Sequence, residues 1–281
     1  MLEVVSNLIK SQFQEFSHLK IVDVEFSGHD NYTFRLGGDL SIRIPKDRKY
    51  EKSILNESVY LNKIQSGLSF KIPSQVKLGK PDEHYNLHWS INKWIDGNSL
   101  NHFPKESLNL ENIAKDLSSF LNELHQIDIK DGIIPSWDNF HRGGDLAVYN
   151  DEMVNALSQI SDRKYRDKIE KIWIDALNAD TSNIKAWVHG DFAVGNILYK
   201  DNKVNGIIDF GQMAVGDFSC DLVIAWNFFD NKSRDVFLSN IKNATNNTIE
   251  KAKGWAIWKA ACWPIGNKEK NQTVIDNIVG L

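Results

Sequence analysis

Residues 186–222 read AWVHGDFAVGNILYKDNKVNGIIDFGQMAVGDFSCDL and contain two short apolar runs with acidic and amide side chains beside them. The runs are NILYK (196–200) and VNGIIDF (204–210), and the polar segment DNK (201–203) separates them. Two strand-like runs joined by a short polar turn are typical of a β-hairpin. Because unpaired carboxylates beside buried strands are costly, their presence here indicates that the protein uses them.

The predicted hairpin would bring three polar side chains to its open end. A turn centred on Asn202 pairs Asn196 with about Ile208. Asp209 then lies close to Asn196, and Asp191 lies on the loop that enters the same end. Carboxylate and amide oxygens suit Mg²⁺, which keeps few protein ligands and also binds water and substrate phosphates. With Asn196 and Asp209 on the metal, Asp191 is left to accept a proton from an attacking hydroxyl, as in phosphoryl transfer to an alcohol.

The composition indicates a folded chain without a strongly charged partner surface. The chain has 281 residues, 42% of them hydrophobic, and its formal net charge of −4 argues against a nucleic-acid binder. Cys220 and Cys262 belong to no CxxC pair, so reduced thiols are expected. The sequence starts without a signal-peptide pattern, and no apolar run approaches the roughly 20 residues of a spanning helix. We therefore expect a cytoplasmic protein that contacts neither nucleic acid nor membrane.

Strand-like and helical patterns divide the chain into two parts. Short β-branched runs dominate at first, and the apolar spacing of 50–65 predicts one helix inserted among them. Beyond the polar break DGNS (96–99) the patterns are mainly helical, apart from the hairpin. We predict an α+β fold with an N-terminal lobe (1–91), a connector (92–98) and a C-terminal lobe (99–281). The expected strands of the first lobe are 21–26, 32–37, 40–45, 75–78 and 88–95. The expected helices of the last lobe are 111–125, 151–161, 164–179, 218–228, 233–243 and 248–262.

The motif HGDFAVGNIL (189–198) followed by GIIDFG (206–211) resembles the catalytic loop and metal-binding segment of the aminoglycoside phosphotransferase family. That family shares the bilobal protein-kinase-like fold. The resemblance implies that Asp191 is the catalytic base, that His189 of the same loop is also a catalytic residue, and that Asn196 and Asp209 bind Mg²⁺. The following GDFSCDL (216–222) resembles a further family motif, in which Asp221 would brace the loop through hydrogen bonds.

The resemblance also implies a bound nucleotide, ATP or GTP, between the two lobes. Protein kinases hold its phosphates with a Lys on the third strand, but this chain has Arg43 there, and Lys46 follows only after a proline. An Arg is always charged and offers a planar fork of donors to phosphate oxygens. Its expected partner on the inserted helix is Glu57, with Glu51 as the alternative.

Further residues are expected to contact the nucleotide. The turn SGHDN (27–31) resembles the family's phosphate-covering hairpin, although it has a single Gly, and it predicts contacts from Ser27, Gly28 and Asn31. The connector would form the adenine slot, with the backbone groups of Asn92 and Trp94 bonded to the base. None of these side chains indicates a preference between ATP and GTP.

The sequence indicates the acceptor less clearly than the rest of the reaction. The resemblance favours an aminoglycoside, which is a polycation and needs an acidic pocket. Candidate pocket residues are Asp217, Asp230, Glu250, Trp258 and Trp263. Alternatives are a macrolide, which needs a broad apolar pocket, or a small metabolite such as choline, homoserine or a sugar. A nucleotide-binding pseudokinase is the alternative without catalysis. We expect a monomer that acts on a hydroxyl of a small molecule.

Overall fold

A twisted antiparallel sheet makes up the first part of the structure, a computed structural model that describes residues 1–25, 28–262 and 268–280. The sheet follows helix α1 (Leu2–Gln12) and has the strand order β1-β2-β3-β5-β4. Its strands are β1 (Ile21–Asp23), β2 (Asn31–Leu36), β3 (Leu40–Pro45), β4 (Gln75–Gly79) and β5 (Trp89–Lys93). Alternate side chains of β2 and β3 pack against α1 and form a small apolar core around Ile42. The predicted first strand is shorter than 21–26, because pairing with β2 ends at Asp23.

Helix α2 (Glu51–Gln65) is inserted between β3 and β4. It buries Ile54, Leu61 and Ile64 on one face, so the apolar spacing of the sequence determines which side meets the protein. The same helix buries Glu57, whose side chain is 2% exposed. A carboxylate this deep needs a partner, and Arg43 of the neighbouring strand β3 supplies it.

The second part of the chain is mainly helical and surrounds two small sheets. One sheet has the order β6-β8-β9 and the other pairs β7 with β10, in both cases antiparallel. A large apolar core, which includes Phe120, Trp187 and Trp255, fills the space between them. The helices are α3 (Leu110–Leu124), α4 (Asn150–Ser158), α5 (Arg163–Asn178), α6 (Ile224–Asn227), α7 (Asn231–Asn240), α8 (Asn246–Cys262) and α9 (Lys268–Val279). The strands are β6 (Asn98–Ser99), β7 (Ala186–Val188), β8 (Ile197–Lys200), β9 (Lys203–Ile207) and β10 (Ala214–Gly216).

The hairpin β8–β9 places Asn196 opposite Ile208 as the sequence predicts, and its register shifts between Leu198 and Tyr199. Asp201 and Asn202 both have positive φ, at 52° and 60°, which is the geometry of a tight turn that matches the twist of the strands. Ile197 pairs with Ile207, and the N–H of Ile208 donates to Asn196 O at 2.8 Å. The open end of the hairpin therefore holds Asn196 opposite Ile208.

The antiparallel sheet followed by a mainly helical part confirms the predicted α+β fold. The predicted helix over 218–228 also differs: these residues form a 3₁₀ segment (Phe218–Val223) and then the short α6. Asp217 caps this segment through the Ser219 N–H, which fixes a tight start in place of an α-helix. Within the described ranges, no helix is both long and apolar enough to cross a membrane.

Candidate active site

A cleft of about 1180 Å³ lies between the five-stranded sheet and the helical part. The sheet contributes Arg43 to its lining, and the loop before β8 contributes Asp191 and Asn196. Asp209 follows β9, and Lys259 of α8 lines the same space. The three side chains that the sequence predicts to converge thus share one cleft.

Asp191 is held by hydrogen bonds on both carboxylate oxygens. Lys259 Nζ donates to Oδ1 at 2.8 Å, and the Nδ2 of Asn196 donates to Oδ2 at 3.2 Å. Burial alone would raise the pKa of Asp191, but the charge and hydrogen bond of Lys259, together with Arg142, lower it to about 2. The carboxylate is therefore ionised at neutral pH and can accept a proton.

Asn196 and Asp209 present the oxygens that suit a magnesium ion. The Nδ2 of Asn196 also donates to Asp191 O at 2.9 Å, so its Oδ1 is the atom left for a metal. Asp209 has a φ of 67° and a side chain that is 39% exposed, and one of its oxygens accepts from Arg43 at 3.0 Å. Its other oxygen is available. One amide and one carboxylate oxygen fit Mg²⁺, which takes its remaining ligands from water and phosphates.

Arg43 connects the sheet, the inserted helix and the predicted metal ligand. Its Nη1 donates to both oxygens of Glu57, at 2.6 and 2.9 Å, and its Nη2 donates to Asp209. Burial opposes the charge of the guanidinium, but the two carboxylates raise the pKa of Arg43 above its ordinary value. The alternative helix partner, Glu51, instead accepts from His88, and Lys46 donates to Gly28 O. Arg43 is thus a fixed cation at the edge of the cleft.

The loop before Asp191 is braced from beneath by Asp221. Its two oxygens accept the N–H groups of His189, at 2.7 Å, and of Gly190, at 2.8 Å. The ring of His189 accepts the Asp191 N–H at Nδ1 and donates from Nε2 to Ile208 O at 3.0 Å. His189 is fully buried and does not line the cleft, which corrects its prediction as a catalytic residue. It positions Asp191 and joins the loop to the hairpin.

Besides Arg43, four of the predicted nucleotide-binding residues line the sheet side of the cleft: Gly28, Asn31, Asn92 and Trp94. The side chain of Asn92 is buried and donates to Ser90 Oγ at 3.1 Å. The Trp94 N–H donates to Asp39 O at 2.8 Å, so the carbonyl of Trp94 is its group that is left for a base. The predicted contact from Ser27 lies outside the described residues.

The acidic residues predicted for the acceptor pocket do not line the cleft, which corrects that prediction. Asp217 is buried, accepts from Thr181 at 2.5 Å and lies 3.6 Å from Lys251. Asp230 caps α7 through the Ser233 N–H, and Glu250 pairs with Lys253 on the same helix. These carboxylates thus act as caps and ion-pair partners within their own segments.

The two tryptophans predicted for the same pocket have different outcomes. Trp258 is fully buried and packs on Tyr149, with ring centroids 4.0 Å apart. Trp263 lies outside the described residues.

Two described cations on the helical side of the cleft, Lys259 and Arg142, were not predicted from the sequence. Lys259 follows Trp258 on α8, and Arg142 lies in the segment NFHRGGDLAVY (139–149) that precedes α4. Neither belongs to a local motif with a chemical meaning. The packing of α8 brings Lys259 to Asp191, and contacts with Gln212 and the tryptophans of α8 hold Arg142. These are long-range contacts that no spacing in the sequence indicates.

A cleft of this kind, in which a catalytic-loop Asp and Asn lie beside a DFG Asp and a strand cation, defines a phosphotransferase of the protein-kinase-like class. Residues 24–255 match the profile of the phosphotransferase enzyme family, and the chain belongs to that family. An aminoglycoside 3′-phosphotransferase of Escherichia coli is 28% identical over 148 residues, which is 52% of this chain and 53% of that protein. The chain thus spans about half the length of this curated relative.

Solved structures share the fold over almost the whole chain. The GDP complex of wild-type aminoglycoside 2′-phosphotransferase-IIIa has a TM-score of 0.74 and 16% identity, and the match covers 98% of this chain and 97% of that one. The macrolide 2′-phosphotransferase of Brachybacterium faecium has a TM-score of 0.68 and 13% identity, with 98% of each chain covered. These identities are too low to transfer a substrate, so they establish the fold alone.

Proposed function

We propose that the protein transfers the γ-phosphoryl group of ATP or GTP to the hydroxyl of a small molecule bound beside Asp191. The observation that carries this proposal is the convergence of Asp191, Asn196 and Asp209 in one cleft with the buried Arg43–Glu57 pair. These are the parts that phosphoryl transfer needs, since its catalysis is mainly positioning and charge stabilisation. The GDP complex of the structural neighbour supports a nucleotide in this cleft.

Each residue has a defined task in the proposed reaction. Arg43 would bind phosphate oxygens, and Asn196 and Asp209 would hold Mg²⁺, which supplies neutralising charge to the phosphates. Asp191 would orient the acceptor hydroxyl and take its proton. The acceptor oxygen then forms a bond to the γ-phosphorus. The bond from that phosphorus to the bridging oxygen breaks, and its electron pair leaves with the nucleoside diphosphate.

The aminoglycoside phosphotransferases among the relatives favour an aminoglycoside as acceptor. The macrolide phosphotransferase among the structural neighbours favours a macrolide. The acidic residues predicted to bind a polycation, Asp217, Asp230 and Glu250, do not line the cleft. The proposal therefore stops at a small molecule with a hydroxyl, and the acceptor class is decided by experiment.

The first prediction tests transfer directly. Purified protein is given Mg-ATP or Mg-GTP labelled in the γ-phosphate, together with aminoglycosides, macrolides and small hydroxylated metabolites. We expect at least one labelled product. Asp191→Asn removes the proton acceptor and should lower the rate by about 10² to 10⁴, while the affinity for nucleotide, measured by calorimetry, stays nearly unchanged.

The matched control is Asp201→Asn, which makes the same chemical change in the exposed turn of the same hairpin. Asn tolerates the positive φ of that position, so this variant should retain full activity. Full activity of Asp191→Asn, or no product from any compound with either nucleotide, would contradict the proposed function.

A further inference from the structure

The helical side of the cleft contains a buried guanidinium without a carboxylate partner. Arg142 is 4% exposed and lines the cleft. Its Nε donates to Gln212 Oε1 at 3.2 Å, and no described carboxylate lies within ion-pair distance of it. Arg side chains are almost never this buried unless they are paired, because the loss of hydration is not otherwise offset.

Two tryptophans hold the guanidinium in place. Its central carbon lies 4.8 Å from the ring centroid of Trp258 and 5.3 Å from that of Trp255, and both indoles are buried. The indole N–H of Trp258 donates to Glu152 at 3.0 Å, which fixes this ring in turn. Cation–π contacts attract the charge and orient it, and no described residue accepts a hydrogen bond from the terminal N–H groups of Arg142. Arg142 is thus preorganised to bind an anion.

A second cation lies on the same side. Lys259 directly follows Trp258 on α8 and donates to Asp191 Oδ1. The other described residues that α6 and α8 contribute to the lining, such as Ile224, Asn227 and Ala260, carry no charge. Apart from Asp191 and Asp209, the described carboxylates of the cleft lie around β1 and β2, on the opposite side. Two cations, Arg142 and Lys259, therefore lie beside the base on the helical side of the cleft.

We infer that the acceptor carries an anionic group, a carboxylate or a phosphate, which Arg142 and Lys259 bind next to the hydroxyl that is phosphorylated. The inference rests on the proposed function, because it names the substrate class of the same site. A fork of guanidinium donors matches the planar pair of oxygens in such a group. A polycation would instead meet two positive charges here, which is unfavourable in a site of low polarity.

Lys259 connects anion binding with the base. When it turns toward the anionic group of an acceptor, Asp191 Oδ1 loses its hydrogen bond and can accept the hydroxyl proton. A neutral or cationic acceptor provides no competing anion, so Lys259 stays bonded to Asp191. The two cations would thus favour anionic acceptors both by attraction and by freeing the base.

The test compares acceptors that differ only in charge. Gluconate, gluconamide and glucamine share one chain of hydroxyls and carry a carboxylate, a neutral amide and an ammonium group. We expect gluconate to have a kcat/KM about tenfold or more above the other two, since a hydrogen-bonded charge pair discriminates by at least that factor.

In Arg142→Gln this advantage should fall to within about threefold. Lys259→Met should also reduce the advantage of gluconate. This variant tests the inference if Arg142→Gln fails to fold. Lys253→Met on the same helix, outside the cleft, is the control that should keep the advantage.

A second measurement separates this site from a site for the γ-phosphate of the nucleotide. The ratio of the affinities for Mg-ATP and Mg-ADP is measured in wild type and in Arg142→Gln. We expect the same ratio in both. A changed ratio with an unchanged acceptor preference would overturn the inference, because the anion would then be the γ-phosphate. Equal or better turnover of glucamine or of an aminoglycoside would also overturn it and leave the proposed function intact.

A binding experiment covers the case in which no compound is phosphorylated, which would count against the proposed function. The unfolding temperature is measured in Mg-ADP with added gluconate or glucamine. Stabilisation of wild type by gluconate alone, lost in Arg142→Gln, would support the anion site independently of transfer. Equal effects of the two compounds would overturn it.

Discussion

At the scale of single residues, Arg43 connects the elements on either side of the cleft. It occupies the strand position that protein kinases fill with Lys. Arg43 contacts two carboxylates at once: Glu57 through one terminal nitrogen and Asp209 through the other. The planar fork of a guanidinium permits this, whereas an ammonium group is a single point charge. The sequence indicated both Arg43 and its partner Glu57, because strand and helix could each be located from local patterns. The contact with Asp209 depends on the packing of distant segments and was not predicted.

The second prediction concerns this pair. Arg43→Met leaves the carboxylate of Glu57 buried without a counter-charge, so the free energy of unfolding should fall by about 3 kcal/mol or more. The double variant Arg43→Met/Glu57→Gln removes the unpaired charge and should regain most of that loss in urea denaturation. Nucleotide affinity should stay low in both, because neither retains the cation. A double variant that is as unstable as Arg43→Met would show that packing, and not charge, determines the loss.

At the scale of elements, the hairpin was predictable and the loop before it was less so. Turn residues with positive φ and two flanking apolar runs determine β8–β9 locally, so the hairpin could be read from the sequence. The register shift between Leu198 and Tyr199 had no such signal. The loop at Gly190 depends on non-local contacts. Gly190 has a φ of 85°, and a Cβ at this position would lie 2.2 Å from the carbonyl oxygen of Gln212. The motif indicated the residue, but only the structure gives the physical reason for the glycine.

The third prediction follows from that close approach. Gly190→Ala introduces an unfavourable φ and a clash with backbone, which should lower the free energy of unfolding by about 2 kcal/mol or more. The rate of phosphoryl transfer should also fall, by more than the loss of folded protein accounts for, because the loop carries Asp191. Gly38→Ala is the control, since a Cβ there meets nothing within 4 Å and its φ is ordinary. Thermal unfolding measures both, and equal stabilities would contradict the prediction.

At the scale of the whole molecule, long-range contacts determine what the sequence could not indicate. Lys259 and Asp191 are 68 residues apart and meet because α8 packs beside the loop. Periodicity predicted a helix over 248–262, but it does not say which neighbour that helix contacts or where its polar residues point. The acidic residues predicted for a pocket likewise act locally, as a helix cap and an ion-pair partner. The reaction centre was thus predictable from adjacent motifs, and the acceptor side, built from distant segments, was not.

The last prediction concerns the pH dependence of the folded state. His125 ends α3 and stacks on Phe218, with ring centroids 4.2 Å apart, and both ring nitrogens are inaccessible to solvent and lack a described partner. Burial lowers the pKa of His125 to about 3 from its ordinary value of 6.5. Below pH 6.5 the unfolded chain therefore binds a proton that the folded chain does not. Between pH 7 and pH 5 this difference should reduce the free energy of unfolding by about 2 kcal/mol.

The variant His125→Phe keeps the stacked ring and removes the titration, so its stability should fall less over the same range, by that amount. His18→Gln removes a histidine that is exposed in the fold and should leave the pH dependence as it is in wild type. Chemical denaturation at several pH values measures the slopes, and the comparison of slopes is independent of any constant loss of packing. Parallel curves for wild type and His125→Phe would mean that His125 is protonated in the folded protein as readily as in the unfolded chain. In that case, the contact between α3 and Phe218 would open to solvent as the pH falls.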